Sequence, residues 1–563
     1  MKRTSAVAAL LALVVPFGAH ATTPAPLDAL RASCARGTCD MTSLGTTLAG
    51  AHGPEGWLRA AARLKGIDVA APTVARTDLR RALRAFYGSI GYRIDAGLAK
   101  KIDATSSLPR AQAATVASLV SAVTTAIELS HAATKNVTLP HDIKRAFELT
   151  TLSSSPSLMT PARRAEFASL QRELGAVDMA TMVRAGLVMT EAINAAETGP
   201  LPDQLDLPYV TIGNDGNTTY TKDEIISIDR SGDDTYRNNA GGAVEGIGGS
   251  ALAIDEGDGS DTYDAAASAQ GYGEGGVGIL DDQGGSDSYS NGEFGQGAAV
   301  AGIGLLYDEG TSDDSYLSPR IGTADPISDK AATLGGIALL VDEGGSDYMR
   351  QDGLDGFDYG AAGGLALLAS LGDGNDTYRS DEIPVSLLGE YIGTFTGPVQ
   401  VSSEVNGTAI LYDEGGNDSY ICGAHVRQGC QGAAGPGSTA LLWDKAGDDS
   451  YWMGAGFQPP LIESLTGAPN DPDVAYFPMG QGAGYALGLP EYAQAVAVLY
   501  DQGGADSYTA ERWAQGYGAT AGIGVLDDEG GATDTYSTEP AAVGARANGS
   551  TWLDGIGGYG QDQ

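Results

Sequence analysis

Leu280-Asp-Asp282-Gln-Gly-Gly-Ser-Asp287-Ser-Tyr289 returns almost unchanged as Leu411-Tyr-Asp413-Glu-Gly-Gly-Asn-Asp418-Ser-Tyr420 and as Leu499-Tyr-Asp501-Gln-Gly-Gly-Ala-Asp506-Ser-Tyr508. A repeat takes precedence over any local reading of the chain. With tyrosine as the marker, ten copies end at Tyr236, Tyr263, Tyr289, Tyr316, Tyr348, Tyr378, Tyr420, Tyr451, Tyr508 and Tyr536. The basic spacing is 26 or 27 residues, and longer steps carry insertions around Arg320–Lys330, Arg379–Ser403 and Gly454–Tyr492. A second patch recurs between copies, as in Gly295-Gln-Gly297-Ala-Ala-Val-Ala-Gly302-Ile-Gly-Leu-Leu306 and in Gln515 to Leu526. Such a unit has room for two or three short strands at ~3.3 Å per residue, too few for a propeller blade of about 40 residues. A β-solenoid of about ten coils over residues 201–563 is therefore expected, with glycines at its corners and its aliphatic runs inward. Trp552–Tyr559 reads as a worn final coil.

Stacking in register would place equivalent residues one above another. The first aspartate of each unit forms the column Asp229, Asp255, Asp282, Asp308, Asp342, Asp413, Asp444, Asp501 and Asp528, interrupted by Ser370. The second forms Asp234, Asp261, Asp287, Asp314, Asp347, Asp376, Asp418, Asp449, Asp506 and Asp534. Carboxylates about 5 Å apart repel by about 3 kcal/mol at an effective dielectric of 20. Residues 210–563 hold 55 acidic and only 11 basic groups, a balance of −44, so protein cations cannot neutralise the columns. Calcium, which accepts six to eight hard oxygens in flexible geometry, is the expected ligand of all nineteen aspartates. The plainer alternative is an Asx-type turn in which each carboxylate caps backbone N–H groups. The tyrosines read as a ring stack rather than a binding surface.

Gly257-Asp-Gly-Ser-Asp261-Thr-Tyr263 and Gly372-Asp-Gly-Asn-Asp376-Thr-Tyr378 resemble the Gly-Gly-x-Gly-x-Asp-x-apolar nonapeptide of the RTX β-roll proteins. The likeness covers about nine residues per unit, once per unit rather than back to back. It implies calcium-binding turns in which the second-column aspartates supply the side-chain ligands.

Residues 22–200 have a different chemistry. Residues 1–209 carry 22 basic and 17 acidic groups, and Ala, Leu and Arg recur at three- and four-residue spacing, as in helices. Helices are expected after Thr77-Asp78, from Pro109 through His131, from Pro161 to Leu174 and over Val177–Ala196. Arg80, Arg81, Arg84, Arg163 and Arg164 read most simply as a solvated face. A sharper reading docks this basic region against the end of the acidic half, where strand edges need cover.

Lys2 and Arg3, the apolar run Ala6–Ala19 and Ala19-His-Ala21 form a signal-peptide pattern over residues 1–21. The expected location is the periplasm, cell surface or medium, with no transmembrane segment after cleavage. In that oxidising setting, Cys34–Cys39 and Cys422–Cys430 are expected disulfides. Their spacing does not suit zinc. The overall charge of −39 argues against a nucleic-acid partner.

Catalytic residues are not singled out. Gly-x-Gly strings arise freely among 81 glycines, there is no His-Glu-x-x-His, and His425 is the lone histidine of the repeats. The expected function is an exported, calcium-stabilised solenoid with a surface-associated adhesive or structural role, meeting a cell-surface glycan or another surface protein. The alternative is a carbohydrate-active enzyme, a polysaccharide lyase or hydrolase on the same scaffold. Its site would draw on Arg320, Arg379, Trp452, Phe457, Tyr476 and Phe477, and insertions gathered on one flank would favour it.

Overall fold

The computed structural model describes residues 25–562, apart from 37, 76, 138–142, 144, 147–148, 150–159, 245–248, 318–329, 352–357, 381–400, 405, 423–429, 454–480, 486–493, 511–514, 520–521, 531, 539–550, 553 and 556–557. The signal-peptide pattern, Arg320, Phe457, Tyr476, Phe477 and His425 lie outside the described residues.

Helices come first: α1 (Pro26–Cys34), α2 (Thr42–Leu48), α3 (Gly53–Leu64), α4 (Leu79–Ser89), α5 (Ala96–Ala104), α6 (Arg110–Thr134), α7 (Pro161–Leu174) and α8 (Met179–Thr198). Their starts follow the capping signals. Asp78, Asp95, Thr160 and Asp178 each accept a backbone N–H with their side chains, and Pro109 sits at the entry to α6. Helix α6 is long and apolar enough to cross a membrane by composition, which the sequence reading overlooked. It is mostly buried and packs against α4 and α8, as the central helix of a helical layer does. Gly186 on α8 permits a close crossing, since a Cβ there would stand 2.6 Å from Leu58 of α3.

From Leu205 onward the chain forms strands in three long sheets. Among the described residues sheet 1 has 14 strands, including Val277–Asp282, Ile303–Asp308, Ile337–Asp342 and Leu365–Ser370; sheet 2 has 11, including Ser288–Glu293 and Ser315–Leu317; sheet 3 has 9. Successive units add one parallel strand to each sheet in turn. Among the described residues the antiparallel pairs lie at the two edges of sheet 1, Leu205–Leu207 with Val210–Ile212 and Thr551–Trp552 with Gly558–Asp562, so that an antiparallel strand ends the sheet at each side. The worn C-terminal stretch does add strands: Gly558–Asp562 pairs with Ile523–Asp528 and sets Asp562 opposite Asp528.

Sheet 1 is buried on both faces. Leu280, Leu306, Leu340, Leu368, Leu411, Leu442 and Leu499 pack with the tyrosine column, whereas Ile279, Leu305, Leu339, Leu367, Ile410, Leu441 and Val498 share one core with the helices. Contacts run from α3, α6 and α8 to strands Val277–Asp282, Ile303–Asp308 and Ile337–Asp342, and Trp57 of α3 approaches Tyr412 at 6.5 Å. The helical layer therefore lies along the outer face of sheet 1 and does not cap the end of the repeats through its basic side chains. Its face toward the repeats is mostly apolar, with Arg31 donating to Thr408 and Thr439 and Lys65 to the Gly363 carbonyl. Arg80, Arg81 and Arg84 are exposed, Arg81 and Arg84 pairing locally with Asp78 and Asp103.

Candidate functional site

Sheet 1 ends each of its main strands on the first-column aspartate. The register matches the column expected from sequence, including Ser370 between Asp342 and Asp413. Several of these aspartates are shared between two kinds of donor, while Oδ1 of Asp255 and of Asp501 has no partner. One oxygen accepts the N–H two residues on: Oδ1 of Asp342 from Gly344 at 2.9 Å, of Asp413 from Gly415 at 3.0 Å and of Asp528 from Gly530 at 3.1 Å. This is the Asx turn. The other oxygen takes a tyrosine hydroxyl, as in Tyr236 to Asp255 at 2.7 Å, Tyr289 to Asp282 at 2.8 Å and Tyr508 to Asp501 at 2.7 Å.

The second column is a ladder. The backbone N–H of each member donates to Oδ1 of the member in the next unit, unbroken from Asp234 to Asp534, over 2.5–2.8 Å. The turn is narrow enough that a Cβ on Gly285, at φ +147, would stand 1.7 Å from the carbonyl oxygen of Gly259. Oδ2 has no partner at Asp234, Asp261, Asp287, Asp347, Asp418, Asp449 and Asp506, although these side chains are almost wholly buried. Among the described residues the two columns meet in clusters whose oxygens lie within 4.8 Å of one another, such as Asp261 with Asp282 and Asp287, Asp314 with Asp342 and Asp347, and Asp376 with Asp413 and Asp418.

Tyrosine rings stack beside the first column at centroid spacings of 4.6–4.9 Å, with interplanar angles of 12° or less. The stack begins one unit earlier than the repeat count suggests, at Tyr220. It also breaks once. Tyr348, taken as a marker from sequence, pairs with Ser315 and Thr377 on the outer face, and Met349 occupies the ring position between Tyr316 and Tyr378. Each hydroxyl sits between the first aspartate of its own unit and that of the next, so a tyrosine in place of Met349 would face Asp342 and Ser370. The two irregularities of the repeat are therefore adjacent: where the ring column lacks its hydroxyl, the next position lacks its carboxylate.

That geometry fixes some protons. The Tyr316 hydroxyl lies 2.7 Å from Oδ2 of Asp308 and 2.6 Å from Oδ2 of Asp342, and Tyr420 lies 3.1 Å from Asp413 and 2.8 Å from Asp444. One hydroxyl carries one hydrogen, so in each trio one acid must hold a proton and donate to the phenol oxygen. Burial, reinforced by neighbouring carboxylates, drives Asp282, Asp342, Asp413, Asp444 and Asp501 well above the carboxylate range. It also pushes Asp287 and Asp347 up to about 8 and Asp314 and Asp418 up to about 9. The sequence reading treated all nineteen as charged and did not weigh this second neutraliser.

Chemically, the columns suit protons or a hard cation. The turn N–H groups and tyrosine hydroxyls already engage both oxygens of first-column members such as Asp342 and Asp413, leaving them little capacity as ligands. The unpartnered Oδ2 atoms of the second column are hard, buried and aimed into the clusters, which fits calcium there.

The four cysteines come together as Cys34–Cys39 and Cys422–Cys430. A column of which sequence reasoning quoted only Gln296 and Gln515, without interpreting them, is Gln270, Gln296, Gln431, Gln481 and Gln515, each with φ of 47–56°. Their amides donate across two units, Gln270 to the carbonyls of Tyr263 at 3.1 Å and Ser290 at 2.8 Å, and so brace the corner. The signal was the Gln-Gly pair in each patch. No family model, curated protein or solved structure matches this chain.

Proposed function

We propose that the chain is an exported β-solenoid of about ten coils, stabilised by calcium and serving an adhesive or structural role at a cell surface. One observation carries this reading: buried carboxylate clusters recur through the stack, and among the described residues they hold unpartnered oxygens. Asp234, Asp261, Asp287, Asp347, Asp418, Asp449 and Asp506 would hold the ions, and bound calcium would supply the positive charge that lets them ionise in the interior. The three sheets of successive parallel strands support the solenoid. The signal-peptide pattern supports export. Calorimetry of the whole protein tests the ion: calcium should raise the melting temperature, chelator should reverse it, and sodium at equal ionic strength should not substitute. Asp287→Asn with Asp418→Asn should weaken uptake. Melting that is indifferent to calcium and chelator would leave protons and turn hydrogen bonds as the whole account.

The carbohydrate-active reading draws on a different observation. The insertions around Arg320–Lys330, Arg379–Ser403 and Gly454–Tyr492 begin at or just after the sheet 2 strands Ser315–Leu317, Thr377–Ser380 and Ser450–Met453, one corner of the unit. Beside that corner, Arg350, Arg379, Ile421 and Trp452 follow one another on adjacent strands. Depolymerisation of a polysaccharide that is lost in Arg379→Ala and kept in Arg80→Ala would replace the adhesive role by this one.

A further inference from the structure

Where the helical layer meets the first strands, a cavity of about 400 Å³ opens between Tyr92, Lys101, the Pro208-Tyr209 turn and residues 222–224. It lies outside the aspartate columns and is independent of the calcium reading. Its volume is in the range of small-molecule sites.

Three features show that it is built. Glu224 lines the cavity at 6% exposure; Thr211 donates to its Oε1 at 3.2 Å, and its Oε2 has no partner. Asn239 fixes the backbone of Glu224 on both sides, accepting from its N–H at 2.9 Å and donating to its carbonyl at 2.8 Å, which sets where the side chain enters the cavity wall. Lys222 stands exposed at the rim and makes no ion pair among the described residues, whereas Lys101 is held by Asp206. Finally, Tyr209 sits in a two-residue turn at φ +63, where an aromatic residue costs of order 1–3 kcal/mol. The turn sets its ring edge-on to Tyr92 at 5.4 Å, and Tyr92 is one of the two exposed large hydrophobic side chains among the described residues.

The cavity thus offers an unsatisfied carboxyl in its floor, an unpaired ammonium at its rim and an aromatic wall. Glu224 and Lys222 are near enough for the lysine to oppose the burial that pushes the carboxyl up to about 7, yet they do not pair within 4 Å. A ligand carrying both charges would complete both groups. We infer that this cavity binds a free α-amino acid, its ammonium on Glu224, its carboxylate on Lys222, and an aromatic or large apolar side chain against Tyr92 and Tyr209.

Titration of the full-length protein with free amino acids, L-phenylalanine first, tests this by calorimetry and thermal shift. N-acetyl-L-phenylalanine lacks the ammonium and L-phenylalaninamide lacks the carboxylate; each should bind at least about tenfold more weakly than the parent. Glu224→Gln should abolish binding. Because that variant alters a buried site, Lys222→Ala serves as the second arm: it should keep the wild-type melting temperature and lose about tenfold in affinity. Absence of heat and thermal shift with every free amino acid would overturn the inference. So would equal binding of the blocked compounds, or wild-type affinity in Lys222→Ala. Calcium dependence of melting is unaffected by any of these outcomes, so this inference and the solenoid reading fail separately.

Discussion

Two strands of one unit, Val277–Asp282 and Ser288–Glu293, obey different rules. Every residue of the first is buried, while the second alternates, with Tyr289 and Asn291 inside and Ser288 and Ser290 toward solvent. The first belongs to sheet 1, covered by helices on one side and by the tyrosine column on the other; the second belongs to sheet 2, whose outer face carries hydroxyls and a few long side chains. A parallel sheet covered on both faces needs continuous apolar strands, and a sheet with one wet face needs alternation. The same unit therefore encodes its surroundings as well as its fold.

The most severe way to break this contrast is to take the cover away. Expressed without the helical layer, residues 201–563 would expose Leu305, Leu339, Leu367 and Leu441 as a contiguous apolar face and should aggregate, as light scattering would show. A soluble, monomeric fragment would mean that something else shields sheet 1. Next in size, Leu339→Ala should cost about 2–5 kcal/mol in denaturant unfolding, whereas Ser315→Ala on the outer face of sheet 2 should stay within about 0.5 kcal/mol. Similar losses would erase the distinction between the sheets.

At the aspartate turns linking the two sheets, pH separates protons from calcium. Burial pushes Asp287, Asp314, Asp347 and Asp418 up to about 8 to 9 in the fold, against about 4 when unfolded, so without calcium the native state binds more protons. Their stabilising protonation is complete below about pH 4 and is lost as pH rises through 8 to 9, so melting in chelator should fall by at least about 5 °C from pH 5 to pH 9. Saturating calcium should reverse that slope, since only the ionised carboxylates bind it. Parallel profiles with and without calcium would argue that no ion enters the columns.

The smallest effect concerns the break in the ring stack. Met349→Tyr together with Ser370→Asp should restore both columns, and the pair should be about 1 kcal/mol more stable than the sum of the single changes, measured as a double-mutant cycle. Strict additivity would show that the two irregularities arose independently.

Much of this was legible in the sequence. The repeat, its register, the first column with its gap at Ser370 and the helix starts after Asp78 and at Pro161 follow from spacing and capping chemistry, whereas the last helix begins at Met179, two residues after the expected Val177. Tyr348 misled because Asp347-Tyr348-Met349 shifts the ring by one residue, and a strand sends successive side chains to opposite faces. Tyr220 was missed because its unit lacks the Gly-Gly turn. The site of helix docking was visible only indirectly: Ile303-Gly-Leu-Leu-Tyr307 does not alternate, which signals burial on both faces, yet nothing in it names the partner. Shared protons were beyond reach, because they depend on hydroxyl positions about 2.7 Å from two acids at once.

Arg31 of α1 donates to Thr439 across 408 residues of chain. Elongation at 5–20 residues per second puts about 20–80 s between the synthesis of those two side chains. The coils can wind in order of appearance, each on the one before. The helices, made first, have no complete surface to settle on until unit after unit of sheet 1 has been laid down. Throughout that interval its hydrocarbon flank stays bare, and the newly made chain must be kept apart from its copies by something other than its own finished fold.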